Sequence, residues 1–469
     1  MLVLDQKRSL SETNFRARLF YKQKMSSPLP ETRRGFEAFA SRDYRIYQMA
    51  RCVAVLGAEA QSVAVAWHIY SISHRALDLG YTGLAIFLPS LFFLVPSGHI
   101  ADRFDRRRVL LCTYALQFVC ALLLLWLAHR AQSGVWPIYG VLFLTGTARA
   151  FGGPAGTSLI PHLVPEEHFV NAVTWGGAVF QFANVTGPAL GGILFTLPLG
   201  VLMGHLAGGE GAGIVYLFNL CALFWALVLL TMLRVRPGRM EKRATSLRVV
   251  LAGFEYVSRT RLLLGSISLD LFVMMLGGAV ALMPIFAHEI LHAGPRGLGM
   301  LRAAPAAGSV LMSVLMARFP MKRHAGHRLF LAVSIFGAAT VVFGLSHWMW
   351  LSLLALFFSG AADAISVIVR GSLVQLATPA EMRGRVSSVN SLFIGASNEL
   401  GSFESGLTAQ WWGAVPATIL GGVGALVVAA LWSFFFPAMR NIDELSASAL
   451  LKLAGGEQSI AQEAPSEEK

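Results

Sequence analysis

In this chain of 469 residues, 55% are hydrophobic and only 14% charged, with mean hydropathy +0.60. Ordinary soluble domains carry about a quarter charged residues, so a water-soluble fold is excluded. The net charge of +12 and pI near 9.9 would ordinarily raise nucleic-acid binding, but the placement of the charges argues against such a partner.

Residues 1–40 open the chain with Lys7, Arg8, Arg16, Arg18, Lys22 and Lys24 and hold no apolar region like that of a secretory signal, so they read as a cytosolic tail. Blocks free of Asp, Glu, Lys and Arg follow at 82–97, 109–127, 213–233, 329–346, 349–362 and 414–436. Several of these, with their flanks, reach the roughly 20 apolar residues needed to cross a ~30 Å hydrocarbon core. Hydrophobic runs and their breaks predict spanning helices near 46–71, 80–99, 109–129, 137–159, 170–196, 213–233, 264–289, 297–317, 328–346, 349–370, 386–410 and 415–436. The expected fold is therefore all-α, twelve transmembrane helices in two six-helix bundles. Cys52, Cys112, Cys120 and Cys221 lie in apolar stretches at unrelated spacings, neither a disulfide framework nor a metal set.

Twelve spans put both termini on one side. Loops on that side hold thirty of the 38 Lys and Arg residues, among them Arg103, Arg106, Arg107 and Arg108; the opposite loops hold three, Arg75, Arg130 and Arg296. Basic loops are retained in the cytoplasm, so the termini are expected there, in the inner or plasma membrane. Trp136, Trp348, Trp350, Trp411 and Trp412 fall at predicted outer ends, where indole rings favour the interface.

The basic stretch around Pro237-Gly238 divides the spans six and six. Expected domains are the tail 1–40, a bundle at 41–234, a cytosolic linker at 235–262, a second bundle at 263–438 and a tail at 439–469. A shift of 214 residues aligns the two halves without a gap over almost fifty positions: Gly146 falls on Gly360, Ser158 on Ser372, Pro165 on Pro379, Glu167 on Glu381, Gly187 on Gly401 and Gly192 on Gly406. Two parallel repeats about an axis along the membrane normal describe one transporter architecture, with the substrate site between the halves.

The predicted third, sixth, ninth and twelfth spans hold no internal Asp, Glu, Lys or Arg, whereas the first, fourth, seventh and tenth hold Glu59, Arg149, Asp270 and Asp363. The eleventh adds Glu399 and Glu404, and Arg302 falls near the outer end of the eighth. A charge near the bilayer centre costs roughly 2.5–3.5 kcal/mol, so these groups are expected to face a partner or a wet central cavity. Repeat equivalence sets Arg149 against Asp363, which suggests a facing pair. Two readings stay open: a static ion pair joining the halves, or a proton or substrate site. Glu399 and Glu404 are five apart, about 140° around a helix, so at most one of them is central.

The loop after the second span reads Gly98-His-Ile-Ala-Asp102-Arg103-Phe-Asp105-Arg106-Arg107-Arg108. It resembles the signature of the major facilitator superfamily, with Asp105 standing where the family has a turn glycine. The resemblance implies that Gly98, Asp102 and Arg106 belong to a latch between the halves. Gly187-Pro188-Ala-Leu-Gly191-Gly192 is similar to the core of the element marking proton-driven exporters, and Arg149-Ala-Phe-Gly152-Gly153 to an arginine element associated with proton coupling. Ala377-Thr-Pro-Ala-Glu381-Met-Arg383-Gly384-Arg385, with Gly299-Met-Leu-Arg302-Ala-Ala-Pro305, resembles the superfamily branch of enterobactin exporters. The resemblance implies proton-coupled export of a small siderophore or drug-like solute, by a monomer in the bilayer that needs no cofactor beyond a proton gradient. Uptake, facilitated diffusion and a non-transporting sensor or scaffold remain the alternatives. Gly152-Gly-Pro-Ala-Gly156-Thr157-Ser158 lacks the Gly-Lys ending of a phosphate loop, and His288 with His292 lies at an outer end, so neither ATP nor a metal is expected.

Overall fold

A computed structural model describes residues 35–130, 134–196, 211–234, 247–319, 323–379, 381–443 and 450, with Leu94, Val95, Ala101, Asp102 and 247–250 described in backbone only. The secondary structure of these residues is helical, and the helices trace the expected spans in chain order. The first bundle runs Arg42–Ser73, Ala76–Phe92 continued by Leu94–Arg103, Arg106–His129, Val135–Leu159, Phe169–Phe195 and Ala212–Thr231. An additional helix, Leu247–Arg259, precedes the second bundle, where Gly253 lies under the Arg385 carbonyl and Phe254 stacks on Phe393. The second bundle runs Arg261–Leu276 continued through Ala279–Ile285 and a π-helical turn Phe286–Ile290, then Gly294–Arg318, Ala325–Leu345, Met349–Leu376, Arg383–Trp412 and Ala414–Phe435.

Among the described residues, nine helices are long and apolar enough to cross a membrane by length and composition alone. The second, fourth and eleventh spans are not among them, for physical reasons. The second is interrupted at Phe93, the fourth carries Arg149, and the eleventh carries Glu399 and Glu404. Helices poor in hydropathy at membrane depth must face protein or water rather than lipid. The five tryptophans lie at span ends on the side away from the termini and are exposed, from Trp412 at 57% to Trp350 at 83%.

Small residues set the packing, as expected where lipid competes equally for apolar side chains. Gly187 of the fifth span lies against Leu56, Glu59 and Ala60 of the first; its repeat equivalent Gly401 lies against Met274 and Met275 of the seventh. Ala60 and Met274 are themselves 214 residues apart, so the same contact is built twice. Gly192 meets Gly299 of the eighth span and Gly406 meets Gly80 of the second, each across the two bundles at about 2.8 Å from where a Cβ would stand. The eleventh span ends on Gly413, whose φ of +89° turns the chain directly into the twelfth.

The apolar cores show how the bundles meet. One buried cluster occupies the side away from the termini and draws on both: Ala60–Tyr70, Leu124, Ile138 and Val215 from the first, Met283, Phe286, Leu298 and Phe343 from the second. Toward the termini the core is split. Tyr44, Tyr47, Leu159, Leu223 and Leu230 pack in the first bundle, and Leu262, Leu329, Leu373 and Val386 in the second, as separate clusters. The bundles are thus joined at one end and parted at the other.

Candidate functional site

The charged residues of the spans fall into three groups. In the first, Arg302 of the eighth span donates from Nη1 to Ser62 Oγ of the first at 2.9 Å, and Glu59, also of the first, is the opposite charge acting on it. Arg302 therefore links the bundles, although its Nε has no hydrogen-bond partner. In the second, Glu399 of the eleventh span has Arg149 of the fourth as the charge acting on it, and its carboxylate lies against Gly83 of the second, where a Cβ would come within 3.0 Å of Oε2. Each bundle supplies one cation and one anion to these two couples. Glu404 is turned to its own helix, beside Ser405 and Thr408.

The third group lies within the second bundle. Arg370 of the tenth span reaches Asp270 of the seventh (Nη1–Oδ1 2.5 Å), donates from Nε to Ser366 Oγ (3.0 Å) and stands 4.0 Å from Asp363 Oδ1. Asp270 and Asp363 are thus brought together, and Asp363 has Arg370 rather than Arg149 as its partner. The facing Arg149–Asp363 pair suggested by the repeat is not formed, because repeat equivalence fixes depth and orientation on each wall, not contact across the opening. Sequence reasoning missed Arg370. The available signal was its spacing of seven from Asp363, which places both on one helix face.

The second-to-third loop is built differently from its pattern in one respect. Asp105 has φ −60° and accepts from the Arg107 N–H at 2.9 Å, so it caps the third span and the turn requires no glycine. Arg106 Nη1 approaches His162 Nε2 at 2.5 Å, and Arg107 donates to the carbonyls of Leu230 and Thr231 at the end of the sixth span. These contacts all stay within the first bundle; the Asp102 side chain lies outside the described residues.

The opposite end is sealed by polar and aromatic groups. Tyr70 donates its hydroxyl to Glu289, and Arg296 donates to Thr196. His288, in the π-helical turn, lies beside Trp67 (5.4 Å), Tyr70 (5.7 Å) and His74 (6.0 Å), which share one face at the C-terminal end of the first span.

A twelve-span, two-bundle chain joined at one end by glycine contacts and the Arg302–Ser62 hydrogen bond matches one family over nearly its whole length: the family described as transmembrane secretion effector, across residues 34–463. The chain belongs to that family. Like other members of the major facilitator superfamily, it is a membrane transporter. It is similar to the enterobactin exporter of Citrobacter koseri, 26% identical over 392 residues, covering 82% of this chain and 86% of the relative. An uncharacterized MFS-type transporter of Bacillus subtilis is 24% identical over 373 residues, covering 75% and 83%. Among solved structures, a bacterial homologue of the iron transporter ferroportin in its inward-facing state superposes with TM-score 0.63 at 18% identity, covering 84% of this chain and 98% of that one. A bacterial homologue of the lysosomal transporter Spinster, inward-facing and unoccupied, gives 0.62 at 17%, covering 90% and 97%. At these identities the structures attest the fold alone.

Proposed function

We propose that this secretion effector exports a small siderophore or drug-like molecule across the inner membrane by alternating access, driven by protons moving inward. The observation that carries the reading is the split of the apolar core: one cluster shared by both bundles on one side, two separate clusters on the other. With the basic loops and termini in the cytoplasm, the parted end faces the cytoplasm, where an exporter loads. The units that rock are the bundles at 41–234 and 263–438, joined by the segment 235–262, and a single chain suffices.

Glu59, Arg149, Asp270, Asp363 and Glu399 form the charged lining. Opening the sealed end must part Glu59 from Arg302 and Arg149 from Glu399, since each couple spans the bundles. The glycines Gly187, Gly191 and Gly192, with Pro188, hold the fifth span close to the first and the eighth. Gly98, Asp102 and Arg106 belong to the latch that closes the cytoplasmic end in the alternate state. The substrate class comes from similarity to the enterobactin exporter.

The test uses purified protein in proteoliposomes with a trapped pH dye and enterobactin as probe. Substrate-dependent proton movement is expected with the native chain and lost in Asp363→Asn or Glu59→Gln. Unchanged coupling in both variants would remove these carboxylates from the proton path, and absence of any substrate-linked proton movement would remove proton coupling itself.

A further inference from the structure

Inside the second bundle a single guanidinium serves two carboxylates of unequal standing. The Arg370 and Asp270 side chains are only 9% and 7% exposed and in close contact; that of Asp363 is 33% exposed and stands off at 4.0 Å. The three border a cavity of about 10 Å³, room for one water molecule, walled otherwise by Ser366 and by apolar groups such as Val273, Val333 and Phe336. With both carboxylates ionised the triad carries one net negative charge at membrane depth, where an uncompensated charge is costly. A proton on Asp363 removes that excess and leaves the Asp270–Arg370 pair intact.

The seventh, eighth, ninth and eleventh spans pack on the tenth. The ninth brings Val333 and Phe336. Arg302 of the eighth donates to Ser62 and has Glu59 as the opposite charge acting on it, Glu399 of the eleventh has Arg149 acting on it, and Glu404 lies beside Ser405 and Thr408. The charges that act most on Asp363 are those of Arg370 and Asp270. One turn away, Gly360 is pressed under the Pro305 backbone of the eighth span. The tenth span therefore has little room to yield toward the eighth, and a change at Asp363 is felt through Arg370 by the seventh.

We propose that Arg370 is the positioning residue of a proton site in the second bundle: Asp270 anchors the guanidinium throughout, while Asp363 takes a proton from the water of the central opening and releases Nη2. Return of the proton to water restores the contact. Only an O–H bond forms and breaks, and Arg370 keeps its charge. The proposal deepens the proton-coupled reading and rests on it, but its test needs no substrate.

The test is hydrogen–deuterium exchange of the full chain in lipid nanodiscs at two pH values, compared at matched chemical-exchange times. Acidification should raise exchange in peptides covering 261–276 and 357–376 relative to the first bundle. Asp363→Asn should show the acid pattern at both pH values, and Arg370→Lys should retain the step. A native chain without the step, or Asp363→Asn with the native step, overturns the proposal. Were proton-coupled transport found without the step, this site alone would fall; were the step found without proton-coupled transport, the site would stand and the exporter reading would fall.

Discussion

Adding one methyl group at Gly192 should bias the transporter toward opening on the side away from its termini. A Cβ there would stand 2.8 Å from the Pro295 carbonyl oxygen and 2.9 Å from Gly299 Cα, both backbone atoms of the opposite bundle. Overpacking of this kind costs about 1–3 kcal/mol. The cost falls only on the conformation in which the two glycines touch, so Gly192→Ala shifts the equilibrium by the same amount, roughly 5–150-fold. Gly187→Ala is the control. Its Cβ would stand 2.5 Å from Glu59 Cβ, but within one bundle, so it strains both conformations alike and shifts nothing. The assay is double electron–electron resonance between spin labels on Arg75 and Trp348, in a background lacking Cys52, Cys112, Cys120 and Cys221. Gly192→Ala should add population at longer distance and Gly187→Ala should not. An unchanged distribution in Gly192→Ala, or an equal change in both, would refute the reasoning.

Arg370→Met leaves two carboxylates without their cation and should destabilise the chain by about 3–5 kcal/mol, as breaking a buried pair does; thermal melting in detergent measures it, and adding Asp270→Asn should recover part of the loss. His162, in the turn after the fourth span, is held below its ordinary value of 6.5, first by burial and then by the Arg106 guanidinium. The neutral ring accepts from Arg106, so its contribution to stability is present above pH 6.5 and is lost as pH falls through the lowered value. The acid slope of stability should therefore shrink in His162→Gln, and an identical slope would count against the contact.

Much of the architecture was legible because a bilayer allows few solutions. Long uncharged runs, basic loops on one side and interfacial tryptophans such as Trp348 and Trp350 each express the cost of placing a polar group in hydrocarbon. The glycine spacing shared by Gly187 and Gly401 also carried through, since close helix packing leaves a mark in residue size. Pairing of the charges did not. Arg149 and Asp363 are equivalent in the repeat, yet their partners, Glu399 and Arg370, come from helix neighbours that equivalence does not specify. Arg302 reaches Ser62, and feels the charge of Glu59, because the eighth span crosses the first near the sealed end, a tertiary fact without a local signal. Asp105 shows the reverse: a departure from the family pattern that a helix cap explains without any change of turn.

Vesicle transport in both orientations bears most directly on the central claim. Everted membrane vesicles from expressing cells, made acid inside, should concentrate enterobactin or a drug-like dye, and a protonophore should collapse the gradient; right-side-out vesicles should expel it. Accumulation by right-side-out vesicles, or movement indifferent to the imposed proton gradient, would contradict the account.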